Sequence, residues 1–516
     1  MRRRQGGDGM NTKIFFENDF GASLFPLQTN LLLMRHCGKE LGAYVKRILS
    51  TDVADAAFNF HSQTVTHAAK PNNHLRRTPV LDPVATYFLY DVVFRNRSCF
   101  DTAAKPARQA FGYRFKDDAP IPVHKAFQDF TANVDEAKDS YAHSLSFDIA
   151  SYFNSIYHHD LVHWFLALPG LPTADADALA RFFRQTNAGR SVDFLPHGIY
   201  PAKMIGSAFL RFVEANGQMK CAKSIRFMDD IYLFDDDQQV LIDDFLRLQT
   251  LLGQSSLNVN PTKTTVDSSS DSVQSAVSEI REQIAEIVEE DLSGHVYFGS
   301  GVEVSWMDDD DDSDDDDASN EGASLSDEQY DRLLELLVDP LAEEAEVELI
   351  LGMLLADSGS LTDVVPFLLG KFPNIVKQLY KVVGLIEDRE SLASGILKLL
   401  NEGPNLLEYQ LFWIAVIAED HLSETATFGQ LVMKLYDLTG GYDIARAKVL
   451  EIPDQTFGLK EVRDKILKSG ASNWHAWASA IGARTLNKAE KNHTLKYFAN
   501  QSTINNLIAG CVMALS

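Results

Sequence analysis

Two adjacent aspartates, Asp229 and Asp230, stand inside Arg226-Phe-Met-Asp-Asp-Ile-Tyr-Leu-Phe234, a run otherwise rich in bulky strand-forming residues. High strand propensity on both sides of the pair reads as the tip of a β-hairpin. Carboxylates set side by side there repel one another and resist desolvation unless a cation meets them. Two divalent metals roughly 3.5–4 Å apart, as phosphoryl-transfer sites use, would remove that cost. A hairpin turn with solvated aspartates fits the same segment, which does not choose between the two.

Two upstream segments add weight. Ser146-Phe-Asp-Ile-Ala-Ser-Tyr-Phe-Asn-Ser-Ile156 places a lone carboxylate, Asp148, at the end of an apolar run and before an aromatic cluster. Leu195-Pro-His-Gly198 then leads into the helix-like stretch Ala202–Phe212. A strand ending in one aspartate, a Pro-x-Gly turn into a helix and a hairpin with Asp-Asp resemble, in that order, motifs A, B and C of the reverse transcriptase palm. Asp148 and Asp229 lie 81 residues apart, an ordinary interval for that family. Leu257-Asn-Val-Asn-Pro-Thr-Lys-Thr264 resembles motif D, with Lys263 standing 33 residues beyond Asp230.

The resemblance implies roles for particular residues. Asp148 and Asp229 would share two magnesium ions (manganese as the alternative), with Asp230 in support and the main-chain carbonyl of Ile149 completing the shell. Phe153 falls where these enzymes carry an aromatic steric gate, implying deoxynucleoside triphosphates as substrates. Gly198 would let the backbone approach the nucleotide. His197 departs from the glutamine usual at its place. Lys263 would bring positive charge and a proton to the leaving pyrophosphate. Arg77, in Arg76-Arg-Thr-Pro-Val-Leu-Asp-Pro83, is the fingers arginine best suited to the triphosphate, with Lys70, Arg108 and Arg114 as competitors.

Bulk properties bound the rest. At 516 residues and 45% hydrophobic content, the chain can build two to four domains. Cys37, Cys99, Cys221 and Cys511 are scattered without metal-ligand spacing and read as reduced thiols. No apolar stretch follows the arginine-rich start, and no run approaches the ~20 residues of a membrane span. A cytoplasmic protein with no membrane association is expected. The net charge of −26 is unevenly spread, since residues 1–270 hold 29 basic and 29 acidic residues. The whole excess therefore lies beyond them, and the motif-bearing half is neutral, without the basic surplus of an enzyme that grips a long duplex.

The expected architecture is an α/β fingers–palm of reverse transcriptase type over residues 11–267, a connecting segment over 268–324, and an all-α HEAT-like solenoid over 325–516. The connecting segment carries helical periodicity over Asp271–Asp291 and the run Asp308–Asp317, which holds nine aspartates and one serine. That run lacks the spaced glycine and terminal glutamate of a calcium loop and reads as a solvated stretch. The tail shows amphipathic stretches at Tyr330–Val338, Glu346–Leu355, Asp363–Leu369, Ile375–Ile386, Ser391–Leu400, Leu407–Ala418, Thr427–Leu438, Gly458–Leu467, Trp474–Leu486 and Lys491–Leu515. A neutral palm joined to such a tail resembles the prophage-encoded abortive-infection (Abi) reverse transcriptases that act against phage. That resemblance implies template-independent DNA synthesis primed by a protein hydroxyl. It also implies a single-stranded DNA product covalently attached to the enzyme, and a homo-oligomer, trimer or hexamer. Tyr44 is one primer candidate among 16 tyrosines. Two alternatives stay open: an RNA-templated enzyme with a dedicated non-coding RNA, and a non-catalytic scaffold whose helical domain binds a phage or host protein.

Overall fold

The computed structural model describes residues 11–268 and 361–515, with short breaks at 72–73, 102–104, 117, 192–194, 404 and 454–457, and a few single residues between 333 and 354. Asp271–Asp291, Asp308–Asp317 and most of Tyr330–Val338 and Glu346–Leu355 lie outside the described residues. Contacts divide the chain into two units, Met1–Val65 with Thr78–Ser272, and Thr66–Arg77 with Val273–Ser516. The first is mixed α/β and the second is predominantly helical.

The strands, in chain order, are β1 (Thr64–Lys70), β2 (His74–Val80), β3 (Arg108–Phe111), β4 (Phe115–Lys116), β5 (Ala119–Pro120), β6 (His143–Phe147), β7 (Lys223–Phe227), β8 (Asp230–Asp235) and β9 (Thr265–Ser268). Five form the central sheet, in the order β3-β7-β8-β6-β9, with β3 parallel to β7 and every other pair antiparallel. Strand β8 is central because Ile231, Leu233 and Phe234 are all buried. The helix Val123–Ser140 lays Phe127 and Phe130 on Phe227, each with ring centroids 5.4 Å apart. The helix Gln238–Gln254 lays Phe245 on Phe147 at 5.0 Å.

Three N-terminal helices, Thr12–Phe20, Gln28–His36 and Gly38–Ser50, gather around Pro83–Arg95. Asp82 starts that last helix by accepting from the Val84 and Ala85 amides, with Pro83 at its first position. Phe15, Tyr90 and Tyr200 form its aromatic contact with the helix Tyr200–Phe209. The predicted helix over Ala202–Phe212 instead begins at Tyr200 and breaks at Leu210, before a short helix at Arg211–Ala215.

In the helical unit, one row contains Val376–Leu385, Glu408–His421, Asp443–Glu451, Trp474–Gly482 and Thr503–Ala514, each packed on the next. A second row pairs Arg389–Glu402 with Phe428–Leu438, and Leu459–Lys468 with Lys488–Ala499. Two expectations change here, and one helix was not expected. Lys491–Leu515 is two helices, parted at Asn500 because Ser502 accepts from the Asn505 amide and starts a new one. Trp474–Leu486 stops at Gly482, where an added Cβ would sit 2.3 Å from the Leu450 carbonyl oxygen. Asp443–Glu451 is a helix that apolar periodicity does not announce. It is buried nearly all round, and its Lys448 lies 3.1 Å from Glu451 and also pairs with Glu419.

Thr66–Arg77 clusters with these helices. The Thr66 hydroxyl donates to Glu408 Oε2 at 2.6 Å, while Glu408 Oε1 accepts from the Ile444 amide at 2.9 Å and the Ala445 amide at 3.2 Å. One carboxylate thus caps the helix Asp443–Glu451 and holds Thr66 of β1.

Candidate active site

The register of the sheet brings the carboxylates together. Phe147 of β6 pairs with Ile231 of β8, so the next residues outward, Asp148 and Asp230, emerge at the same sheet end. Asp229 and Met228 form the turn between β7 and β8, with Met228 in the left-handed region at φ +55°. Burial pushes the Asp230 carboxyl up to about 7, helped by Asp229 and Asp148 and opposed by the Lys263 ammonium.

Lys263 reaches this end through a backbone tie. The Asn260 amide donates to the Asp148 carbonyl at 2.9 Å, and the Ala150 amide to the Asn258 carbonyl at 2.8 Å. These bonds flank the bridge between Ile149 and Val259, and neither uses the Ile149 carbonyl. Asn260 then caps the short turn Pro261–Lys263, leaving Lys263 Nζ 3.1 Å from Asp148 Oδ2.

One oxygen of the cluster would suit a divalent cation. Asp148 Oδ1 is buried and accepts no hydrogen bond, a costly state for a carboxylate oxygen that a metal would relieve. Among the described residues no three His, Cys, Asp or Glu side chains form a metal-holding group on their own. Ligands from substrate phosphates and water, which magnesium commonly keeps, would complete the shell.

Phe153 sits on the one-turn helix Tyr152–Ser155 and meets the His197 imidazole edge to face, with centroids 4.7 Å apart. Gly206 makes room for it, since a Cβ there would lie 3.1 Å from Phe153 Cε1. Gly198 has φ +103°, and its missing Cβ would stand 3.3 Å from Leu24 Cδ1. His197 and Gly198 also line an apolar recess with Phe16, Leu24 and Tyr90. Phe153, His197 and Gly198 therefore form one group, and Asp148, Asp229, Asp230 and Lys263 another. The short stretch from Asp148 to Phe153 links them.

Arg77 stands on β2, within the segment that belongs to the helical unit. Arg108 donates to the Cys221 carbonyl at 2.7 Å and stands opposite Ser224, at the end of β7 away from the aspartate turn. Arg114 donates to the Ala110 carbonyl at 3.3 Å.

Several supporting residues escape the motif reading. Asp19 accepts from the Tyr200 amide at 2.8 Å and from the Tyr90 hydroxyl, anchoring the start of the helix after Gly198. Arg226, 1% exposed, pairs with Glu214. Its sequence signal is a charge within the strand β7, whose residues 224–227 are all buried, and such a charge demands a buried partner.

No family model and no curated protein matches the chain. Among solved structures, telomerase from Candida albicans in complex with a fragment of telomeric RNA shares 11% identity at a TM-score of 0.32, over 86% of this chain and 70% of that one. Apo telomerase from Candida tropicalis shares 9% identity at a TM-score of 0.30, over 91% and 73%. Likenesses this faint carry no functional weight.

Proposed function

We propose that this chain is a nucleotidyltransferase of reverse transcriptase type that synthesises DNA from deoxynucleoside triphosphates. Its mixed α/β unit would serve as fingers and palm, and its helical unit as a HEAT-like array. The observation that carries this reading is the register that sets Asp148 beside Asp230 at one sheet end, with Asp229 in the adjoining turn and Lys263 3.1 Å from Asp148. Magnesium or manganese held by Asp148 and Asp229, with the Ile149 carbonyl, would supply Lewis-acid activation of the attacking hydroxyl. The chain's own part is to orient that ion, to wall the sugar with Phe153, to let the backbone approach at Gly198 and to offer the Lys263 proton to the leaving group. The neutral charge of residues 1–270 favours synthesis without a gripped duplex. Protein priming, an oligomeric state and a role in phage defence extend the same reading.

The test is incorporation of labelled deoxynucleotides by purified protein with magnesium and no template, resolved on a denaturing gel. Label should migrate with the polypeptide, and Asp148→Asn and Asp229→Asn should each abolish it while the melting curve stays cooperative. Either variant retaining incorporation within about tenfold of wild type, ~1.4 kcal/mol of barrier, overturns the assignment. Label appearing only when RNA is added would favour a templated enzyme.

A further inference from the structure

The two carboxylate-bearing segments are both hydrogen-bonded to the same helix end. Near the end of the helix Tyr200–Phe209 the Gly206 carbonyl accepts a long bond of 3.4 Å from the Leu210 amide, which leaves it a lone pair for a second donor. The Tyr152 hydroxyl, four residues past Asp148, donates to the Gly206 carbonyl at 2.7 Å. Arg226, three residues before Asp229, donates through Nη2 to the next carbonyl, Ser207, at 3.2 Å. Both side chains are 1% exposed.

Arg226 does more than reach the helix. Its Nη1 donates to the Met228 carbonyl at 2.8 Å, and Nε and Nη2 take both oxygens of Glu214. Met228 is a non-glycine residue in the left-handed region, a conformation that persists only when its surroundings fix it. The Arg226 bond to the Met228 carbonyl is one such restraint. Gly112 leaves room for the Met228 side chain, since a Cβ there would lie 3.3 Å from Met228 Sδ. The peptide held in this way is the one that leads into Asp229.

We propose that Arg226 is a positioning residue that aims Asp229, with Tyr152 as its counterpart for Asp148. The adjacent carbonyls of Ser207 and Gly206 would then serve as a common template that sets the two carboxylates to one spacing. This rests on the reading of Asp148 and Asp229 as metal-holding residues. Lysine cannot take the place of Arg226, since one ammonium cannot span Glu214, Ser207 and Met228 in a planar fork.

The experiment measures Mn2+ binding to the full chain, without nucleotide, from the free-ion electron paramagnetic resonance signal. Thermal melting and incorporation kinetics run alongside. Wild type should bind Mn2+ in a manner lost in Asp148→Asn and Asp229→Asn. Tyr152→Phe, which removes one hydroxyl, should melt as wild type yet bind Mn2+ three- to tenfold more weakly and lose at least tenfold in kcat. Its KM for deoxynucleotide should change less than threefold. Arg226→Lys should follow the same split more severely. If Arg226→Lys does not fold, Glu214→Gln, which keeps the arginine but loosens its fork, takes its place. Folded Tyr152→Phe and Arg226→Lys (or Glu214→Gln) proteins that bind Mn2+ as wild type does overturn the proposal. Wild type that binds Mn2+ through the aspartates but incorporates nothing overturns the polymerase reading and leaves the positioning result standing. Wild type with no aspartate-dependent Mn2+ binding overturns both.

Discussion

The Lys263 ammonium lies 3.1 Å from Asp148 Oδ2, so a residue far along the chain neutralises the first carboxylate of the cluster. The Lys263 side chain is 43% exposed, so water screens its side of the pair, which contributes about 1 kcal/mol or less to the fold. Its weight is local, because the same ammonium competes with any divalent ion for Asp148. Lys263→Met should therefore lower the magnesium concentration giving half-maximal incorporation. Under the proposed role of Lys263 as proton donor to the leaving group, it should also cut the maximal rate about tenfold. A magnesium titration of both proteins checks this, and a variant that needs more magnesium contradicts it.

The Asp230 carboxyl, pushed up to about 7 from an ordinary 3.8, sets a pH dependence of stability. Between about pH 4 and 7 the folded state holds a proton there that the unfolded chain has released, so stability falls as pH rises through that window. In chelator, the melting temperature should drop across it. Asp230→Asn should flatten the drop, and magnesium should restore stability at the upper end. Melting curves at several pH values, with and without magnesium, decide it.

Phe153 packs on His197 and is 7% exposed. Phe153→Val removes the outer part of the ring and should raise ribonucleotide use relative to deoxynucleotide use by tenfold or more. The ratio of kcat/KM for the two sugars is the readout. Wild-type protein that already uses both equally would remove the gate from the mechanism.

At Gly198 two effects oppose any side chain, the φ of +103° and the Leu24 contact. Gly198→Ala should cost about 1–3 kcal/mol in denaturant unfolding. Adding Leu24→Ala should not recover it, because the contact is relieved but the backbone is not. Full recovery would mean that crowding alone required the glycine.

Removing residues 325–516 takes away Glu408, the partner of the Thr66 hydroxyl, along with the other helices that Thr66–Arg77 clusters with. The truncated chain should be cut by protease within 66–77 far faster than the full one. Glu408→Gln should show a smaller increase at the same place. Equal cleavage rates in all three proteins would rule out this role for the helical unit.

Much of the placement of the candidate residues was legible because the elements that carry them are marked locally in sequence. Asp229 and Asp230 flag a hairpin turn by their neighbours alone, and the order of Asp148, Gly198 and Lys263 marks the elements that carry them. The support was harder to read, because it depends on partners far away in the chain. Arg226 needs Glu214 and Ser207, and Asp19 needs Tyr200, pairings that no periodicity announces. The helix Asp443–Glu451 was hidden for a related reason. Lys448 and Glu451 look like solvent-facing residues, yet each is buried against the other.

The central position of β8 has a consequence for how the protein is made. A chain emerging from the ribosome presents β6 well before β7, β8 or β9 exists to cover it. The Asp148 carbonyl receives its bond from Asn260 only after that segment has followed. Pairings between such distant segments are slow to form, so the sheet should close late in synthesis and nearly in one step. Until then β6 presents an open edge carrying Leu145 and Phe147, the kind of surface that nascent chains stick by. Chains stalled before Leu257 should therefore be held by chaperones, and chains stalled beyond Ser268 released from them.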